Sequence, residues 1–279
     1  MKPLDFGVML GFGDDPREVL KKAQDVGAPT GQMGRPTGRY LAGKGLDELK
    51  KVIEESGVEI TAVFCGFEGE SYADIPTVRR TVGLVPKATR ARRVEETKEI
   101  INFARAIGVN NVAAHIGFIP EDRSDPDYQE LVAVLQDICD HAAGPGKGAG
   151  SGLDFSLETG QETAEVLLQF IQDVNRNNLK VNFDPANMIL YGSGEPIAAL
   201  KLLGKYVVGV HCKDGKWPTE EGQLGHETPL GQGDVGMDRF IATLKEIGYT
   251  GPLTIEREIS GEQQIKDIKE SMALLESLK

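Results

Sequence analysis

With 279 residues, 27% charged and 40% apolar, the chain has the make-up of a globular protein with a sizeable core, which excludes a disordered segment. The formal net charge of −12 and pI near 4.9 exclude a general nucleic-acid or anionic-membrane surface, since both partners demand a basic footprint. Cys65, Cys139 and Cys212 show no CxxC spacing, which excludes a disulfide framework and a thiolate zinc cage and points to reduced thiols in a cytoplasm.

The first ten residues hold one Lys and an apolar run broken by Asp5, too short and too acidic for a secretory signal. No later stretch approaches the ~20 continuous apolar residues of a membrane span. A cytoplasmic protein without a membrane partner is therefore expected. From there the chain alternates short β-branched runs with longer helical patterns, the signature of parallel βα units. Eight strands are predicted: Leu4 to Leu10, Pro29 to Met33, Glu59 to Phe64, Asn111 to His115, Leu153 to Glu158, Leu179 to Asp184, Val207 to His211 and Leu253 to Glu256. The second carries the weakest pattern. Between them the helical periodicity predicts Pro16 to Val26, Leu46 to Ser56, Ala91 to Ile107, Asp127 to Ala143, Glu162 to Asn175, Pro196 to Leu203, Met237 to Ile247 and Gln263 to Ser277. Asp15-Pro16 opens the first helix, and Gly27, Gly57, Gly108 and Gly248 close others. Eight such units in one domain of residues 1–279 predict a single (β/α)8 TIM barrel, which typically needs about 250 residues.

Two stretches interrupt the rhythm. Residues 66–90 form a long excursion after the third strand, read either as a lid over a site or as a surface loop packed on the barrel rim. Residues 144–152, GPGKGAGSG, look like a phosphate loop, but Lys147 is followed by Gly148 where Ser or Thr is needed, and the stretch precedes a strand. They are read as an αβ connection away from the chemistry.

Each of the last four predicted strands ends in a residue that can bind a metal: Glu158, Asp184, His211 and Glu256. Barrel enzymes place their catalytic groups at these C-terminal strand ends. The phase can be checked, because outward positions should be large and apolar. Leu153, Phe155 and Leu157 alternate with Glu158, Val181 and Phe183 with Asp184, Val208 and Val210 with His211, and Leu253 and Ile255 with Glu256. All four candidates fall on the lumen side. Taken singly, Asp184 before Pro185 reads as a cap or turn residue and His211 as a core histidine; in phase on consecutive strands they read as one metal site. Three carboxylates and an imidazole are a hard donor set that suits one divalent ion, Mn²⁺, Mg²⁺ or Co²⁺, with Zn²⁺ left open.

Around this centre His115 ends the fourth strand in lumen phase, as a substrate contact or a partner to a ligand. Lys213 lies two residues past His211, and His226 sits in the Gly-rich loop before Leu230; both are candidates for holding substrate hydroxyls. Gln161 and Glu162 are expected to start the fifth helix, with Gln161 at the substrate and Glu162 either there or as a first-turn acid. His141 is assigned to structure. Glu258, one inward position past Glu256, is expected at the rim, pairing with Lys213 or Arg257.

The strand ends Leu157-Glu158-Thr159-Gly160-Gln161-Glu162, Phe183-Asp184-Pro185-Ala186-Asn187, Val210-His211-Cys212-Lys213-Asp214 and Ile255-Glu256-Arg257-Glu258 resemble the xylose isomerase-like TIM-barrel superfamily. The likeness is to its sugar phosphate isomerase/epimerase branch, with ketose 3-epimerases and inosose dehydratase. It runs over essentially the whole chain and is strongest from Ala113 onward. The resemblance implies that Glu158, Asp184, His211 and Glu256 hold the metal and that Glu158 and Glu256 work from opposite faces of a sugar, one removing a carbon-bound proton and the other returning it. Asn187 stands where the epimerases carry a His three residues past the ligand Asp, and no Arg follows His211 at the position of their substrate Arg, so the ketose stays open. The implied activity is a metal-dependent isomerase or epimerase on a carbohydrate or keto-polyol, working through an enediolate. The alternatives are a lyase acting on a keto-sugar, keto-inositol or 3-keto-glycoside, and a non-catalytic sugar-binding barrel. The nuclease branch needs a histidine-rich zinc site, which four histidines do not supply. Dimers or tetramers are expected from the resemblance alone.

Overall fold

The computed structural model describes residues 2–11, 15–144, 152–220 and 222–279. Within them eight parallel strands close into a barrel: β1 (Phe6–Leu10), β2 (Thr30–Met33), β3 (Glu59–Phe64), β4 (Asn111–Ala114), β5 (Asp154–Glu158), β6 (Leu179–Phe183), β7 (Val207–Cys212) and β10 (Leu253–Ile255). They pair in chain order, and β10 returns to β1. All eight predicted strands are present, and the weak β2 is hydrogen-bonded on both sides.

Around the barrel run α1 (Pro16–Val26), α2 (Gly43–Ser56), α3 (Ile75–Thr81), α4 (Lys87–Ile107), α5 (Pro126–Ala143), α6 (Ala164–Val174), α7 (Pro185–Tyr191), α8 (Pro196–Leu203), α9 (Met237–Glu246) and α10 (Glu262–Leu278). None of the described helices is long and apolar enough to cross a membrane. Local chemistry sets their ends: the Asp15 carboxylate accepts from Arg17 N at 2.8 Å, and Gly27 closes α1 in the left-handed conformation at φ 80°. Thr163 caps α6 by accepting from Val166 N, so Gln161 and Glu162 precede the helix; Glu162 is not a first-turn acid.

Two insertions fall outside the eight predicted units. Short helix α7 follows β6 directly, and a hairpin of β8 (Asp214–Lys216) and β9 (His226–Thr228) follows β7. The Asp214 carboxylate, 2% exposed, accepts from the amides of Gly215, Gly231, Gly233 and Val235 and ties the hairpin to the loop beyond it.

The 66–90 excursion is neither bare loop nor free flap. It contains α3 and the first turn of α4, which begins four residues before its predicted start. Buried Arg90 donates to Leu84 O at 2.8 Å and Arg93 to Gly83 O at 2.7 Å, while Glu70 accepts from Phe67 N and Gly83 N. A side chain at Gly83 (φ 75°) would strike the Ile116 carbonyl, so this backbone approach requires glycine. The excursion is thereby pinned to the loop after β4. Most of the glycine-rich stretch, residues 145–151, lies outside the described residues.

Candidate active site

Parallel register brings the four strand ends together. Glu158 is level with Asn182 and Asn182 with Gly209, each two residues short of Asp184 and His211, and His211 is level with Thr254, two short of Glu256, so the four side chains climb along the strands in one phase. Ligand atoms of Glu158, Asp184, His211 and Glu256 all lie within 4.8 Å of one another. His211 Nδ1 is 2.9 Å from Glu158 Oε1, 3.1 Å from Glu256 Oε2 and 3.4 Å from Asp184 Oδ2. Only Glu256 is more than marginally exposed, its side chain at 14%.

Asp184 caps a helix and keeps its second oxygen for the cluster, so the cap and ligand readings are compatible. Its Oδ1 accepts from Asn187 N at 2.9 Å and starts α7, while Oδ2 is buried with no hydrogen-bond partner. His211 Nδ1 also lacks a well-directed hydrogen bond despite its three carboxylate neighbours. Two unpartnered donor atoms facing two further carboxylates are what a divalent cation would satisfy, so the residues fit the group.

The far side of the imidazole is fixed by Gln32. Gln32 Nε2 donates to Asn182 Oδ1 at 3.0 Å, which turns Gln32 Oε1 toward His211 Nε2 at 2.8 Å; His211 therefore donates from Nε2, so that whenever the ring is neutral it is Nδ1 that offers its lone pair to the cluster. Gly209 makes room for this relay, since a Cβ there would lie 2.3 Å from Asn182 Oδ1. Phe64 stacks on the other side of the imidazole at 5.4 Å.

Residues 20–278 match the family described as the xylose isomerase-like TIM barrel. The chain belongs to this family. It is similar to the crystal structure of a xylose isomerase domain protein from Planctomyces limnophilus, at 48% identity and a TM-score of 0.92 over 99% of this chain and 97% of that one. It is also 26% identical over 204 residues to the uncharacterised protein MJ1311 of Methanocaldococcus jannaschii, and 29% identical over 142 residues to the L-ribulose 3-epimerase of a Methylomonas species. These two alignments cover 67% and 50% of this chain but 62% and 46% of the relatives.

The charges in this xylose isomerase-like barrel are mutually set. Burial pushes the Glu158 carboxyl up, but His115 and His211 outweigh it and hold the group down at about 2. Burial acts against ionisation of Glu256 too, and Lys213 and His211 hold it well below the usual range. Asp184, its second oxygen unpartnered, is pushed up by burial. The imidazoles respond in kind: desolvation opposes their charge, yet Glu158 raises His115 to about 9, and Glu256 with Glu158 raises His211 well above its ordinary value.

Of the predicted substrate residues, His115 places Nε2 3.0 Å from Glu158 Oε2, and Gln161 Nε2 lies 3.5 Å from His115 Nδ1. Asn187 bridges the cluster, donating to Glu158 Oε1 at 3.3 Å and accepting from Lys213 Nζ at 3.1 Å. Gly160 permits that approach, because its Cβ would lie 2.9 Å from Asn187 Cβ. Lys213 is buried, 3.2 Å from Glu256 Oε2, and also bonds Glu258, which takes the rim position expected of it. His226 is exposed in β9 and stands outside the cavity; its neighbour Glu227 lines it instead. His141 sits in the last turn of α5 against Asn102, away from the site.

Two residues escaped the sequence reading. Gln32 is one, carried by the strand with the least strand-like composition. Glu227 is the other: it pairs with Arg257 Nη1 at 2.6 Å and accepts from Glu258 N, while Arg257 Nε reaches Asp267 at 2.8 Å. The two residues after Glu256 are thus clamped from outside. Glu162 is 7% exposed with both carboxyl oxygens unpartnered, and burial pushes it up to about 8 against the field of His115. Above the cluster opens a cavity of about 410 Å³, walled by Tyr72, His115, Asn187, Tyr191, Glu227 and Glu258 among others.

Proposed function

We propose that the protein is a divalent-metal-dependent sugar isomerase or epimerase that moves a proton at a carbon beside a carbonyl, with Glu158 and Glu256 as base and acid. The observation that carries this reading is the Glu158–Asp184–His211–Glu256 cluster, with unpartnered donor atoms on Asp184 and His211, at the mouth of a barrel. Mn²⁺, Mg²⁺ or Co²⁺ suits three carboxylates and one imidazole, and Zn²⁺ fits the same donors less selectively. The ion's contribution when bound is Lewis-acid polarisation of the carbonyl and stabilisation of the charge that develops there.

The chain's own groups do the rest. Glu158 and Glu256 are held as carboxylates, the state a base requires, by the imidazoles and by Lys213. His115 on Glu158 Oε2 and Lys213 on Glu256 Oε2 orient the two acids and can exchange protons with them. Removal of the proton from one face gives the enediolate, and return from the other face inverts the carbon. The partial likeness to an L-ribulose 3-epimerase supports a sugar as substrate.

The test is incubation of Mn²⁺-loaded protein with ketoses in deuterated water. Deuterium at the carbon beside the carbonyl, together with an epimeric or isomeric product, is expected, and Glu158→Gln and Glu256→Gln should each slow exchange by about 10²–10⁴-fold. An unsaturated product would move the assignment to elimination. Unchanged metal content and unchanged exchange in Glu256→Gln would overturn the site.

A further inference from the structure

The cavity over the cluster has a chemical bias that the metal ligands do not dictate. Among its described lining residues there is no Lys or Arg, and the formally charged ones besides His115 are Glu227 and Glu258. The nearest ammonium is Lys213, and its three N–H donors are committed to Asn187 Oδ1, Glu256 Oε2 and Glu258 Oε1. His115 is engaged by Glu158. Arg79, on α3, stacks on Phe118 at 3.8 Å and is not part of the lining. A phosphate or carboxylate entering here would find no uncommitted cation on the wall, because the Arg257 and Lys213 charges are already taken up by Glu227 and Glu258.

What the wall offers instead is aromatic and apolar surface. Tyr72, brought to the rim by the pinned excursion, is 44% exposed with its ring 5.5 Å from that of His115. Tyr191, the last residue of α7, lines the same cavity, braced edge-on by Phe118 at 5.9 Å, with Leu190 and Leu224 also in the wall. An aromatic ring presented at a cavity mouth is a recognition surface for a ligand with an apolar face. The C–H face of a sugar ring is such a ligand.

Building on the proton-transfer reading above, we propose that the site takes an uncharged keto-sugar whose non-reacting end is gripped by the Tyr72–Tyr191 wall, in place of the cationic clamp that a sugar phosphate needs. Tyr72 is then a specificity-determining residue supplied by the β3–α4 excursion. The test is calorimetric titration of the Mn²⁺-loaded protein with D-allulose, D-fructose and the 1- and 6-phosphates of D-fructose, with inorganic phosphate titrated alone to correct for chelation. A neutral sugar is expected to bind at least ten times more tightly than either ester, and Tyr72→Ala to weaken the neutral sugar about tenfold with Mn²⁺ affinity unchanged. An ester that binds as tightly as the neutral sugars, or a Tyr72→Ala variant with unaltered sugar affinity, overturns the proposal and leaves the epimerase reading standing. If none of the four sugars binds, the proposal falls, and the deuterium-exchange test decides the epimerase reading separately.

Discussion

Replacing Gln32 by Leu removes the group that aims His211. Gln32 is 2% exposed, accepts from His211 Nε2 at 2.8 Å and donates to Asn182 at 3.0 Å. Leucine of similar volume leaves the imidazole N–H and the Asn182 carbonyl oxygen both unpaired in surroundings without water, at about 1–3 kcal/mol each in stability. The imidazole is then free to rotate or to change tautomer, and loss of such a partner typically costs 10–100-fold in metal affinity, about 1.4–2.7 kcal/mol. Mn²⁺ titration of wild type and variant, with thermal unfolding alongside, reads both effects. Gln32→Glu separates them: it forfeits the donor to Asn182 but keeps an acceptor on His211, so it should lose stability while holding Mn²⁺ to within severalfold of wild type. Equal Mn²⁺ affinity in wild type and Gln32→Leu would refute the reasoning, as would equal losses in the Leu and Glu variants.

Metal binding should also depend on pH in a defined direction. The metal-free fold raises His211 well above its ordinary value, since Glu256 and Glu158 outweigh its desolvation, so near neutrality the ring carries a proton that a cation must displace. Mn²⁺ affinity therefore rises with pH, about tenfold per unit for each proton released, and a flat profile between about pH 6 and 8 would contradict the assignment. Arg257→Met should act on the chemistry from a distance: it removes the clamp between Glu227 and Asp267 beside Glu256, and an ångström of misplacement lowers turnover about 10²-fold. The signature is a fall in kcat with KM little changed; a variant that merely unfolds at lower temperature with normal kcat would show the clamp to be structural only.

The barrel was legible because parallel strands buried on their outer face write their phase into sequence. Phe155 and Leu157, Val181 and Phe183, and Val210 are buried in the core on the outer phase, so Glu158, Asp184 and His211 had to face inward, and they do. What stayed hidden lacks any such period. Segment β2 reads Thr-Gly-Gln-Met, and neighbours on both sides supply the pairing that its composition does not favour. Helix α7 did carry a signal, the Asp184-Pro185 start and the Gly192 stop, but a seven-residue helix is too short for its periodicity to be read. The three-residue strands of the hairpin are held by the Asp214 carboxylate and glycine amides distant in sequence, so Glu227 could not be placed before the fold was known.

The stretch around Glu256 shows why the ligands need more than a strand to hold them. The predicted strand ended on Glu256 itself, whereas β10 stops at Ile255, and Glu256 N, 3.3 Å from Cys212 O, makes the last bond to the sheet. The carboxylate is then set by its surroundings: Lys213 on one side, and the Glu227–Arg257–Asp267 chain behind it. Charge explains why so acidic a cluster can be buried. Counting the buried groups alone and leaving the solvent-facing Glu258 to the rim, Glu158, Asp184 and Glu256 bring three negative charges, and Lys213 returns one. The balance of two is met either by protons on His115 and His211, both raised above their ordinary values, or by a single divalent cation with the imidazoles neutral. A monovalent ion would leave the site short of charge and a trivalent one in excess, each at a desolvation cost that a buried cluster cannot pass to solvent. A 2+ ion held here as proposed would thus be matched to the lysine as much as to the four side chains that face it.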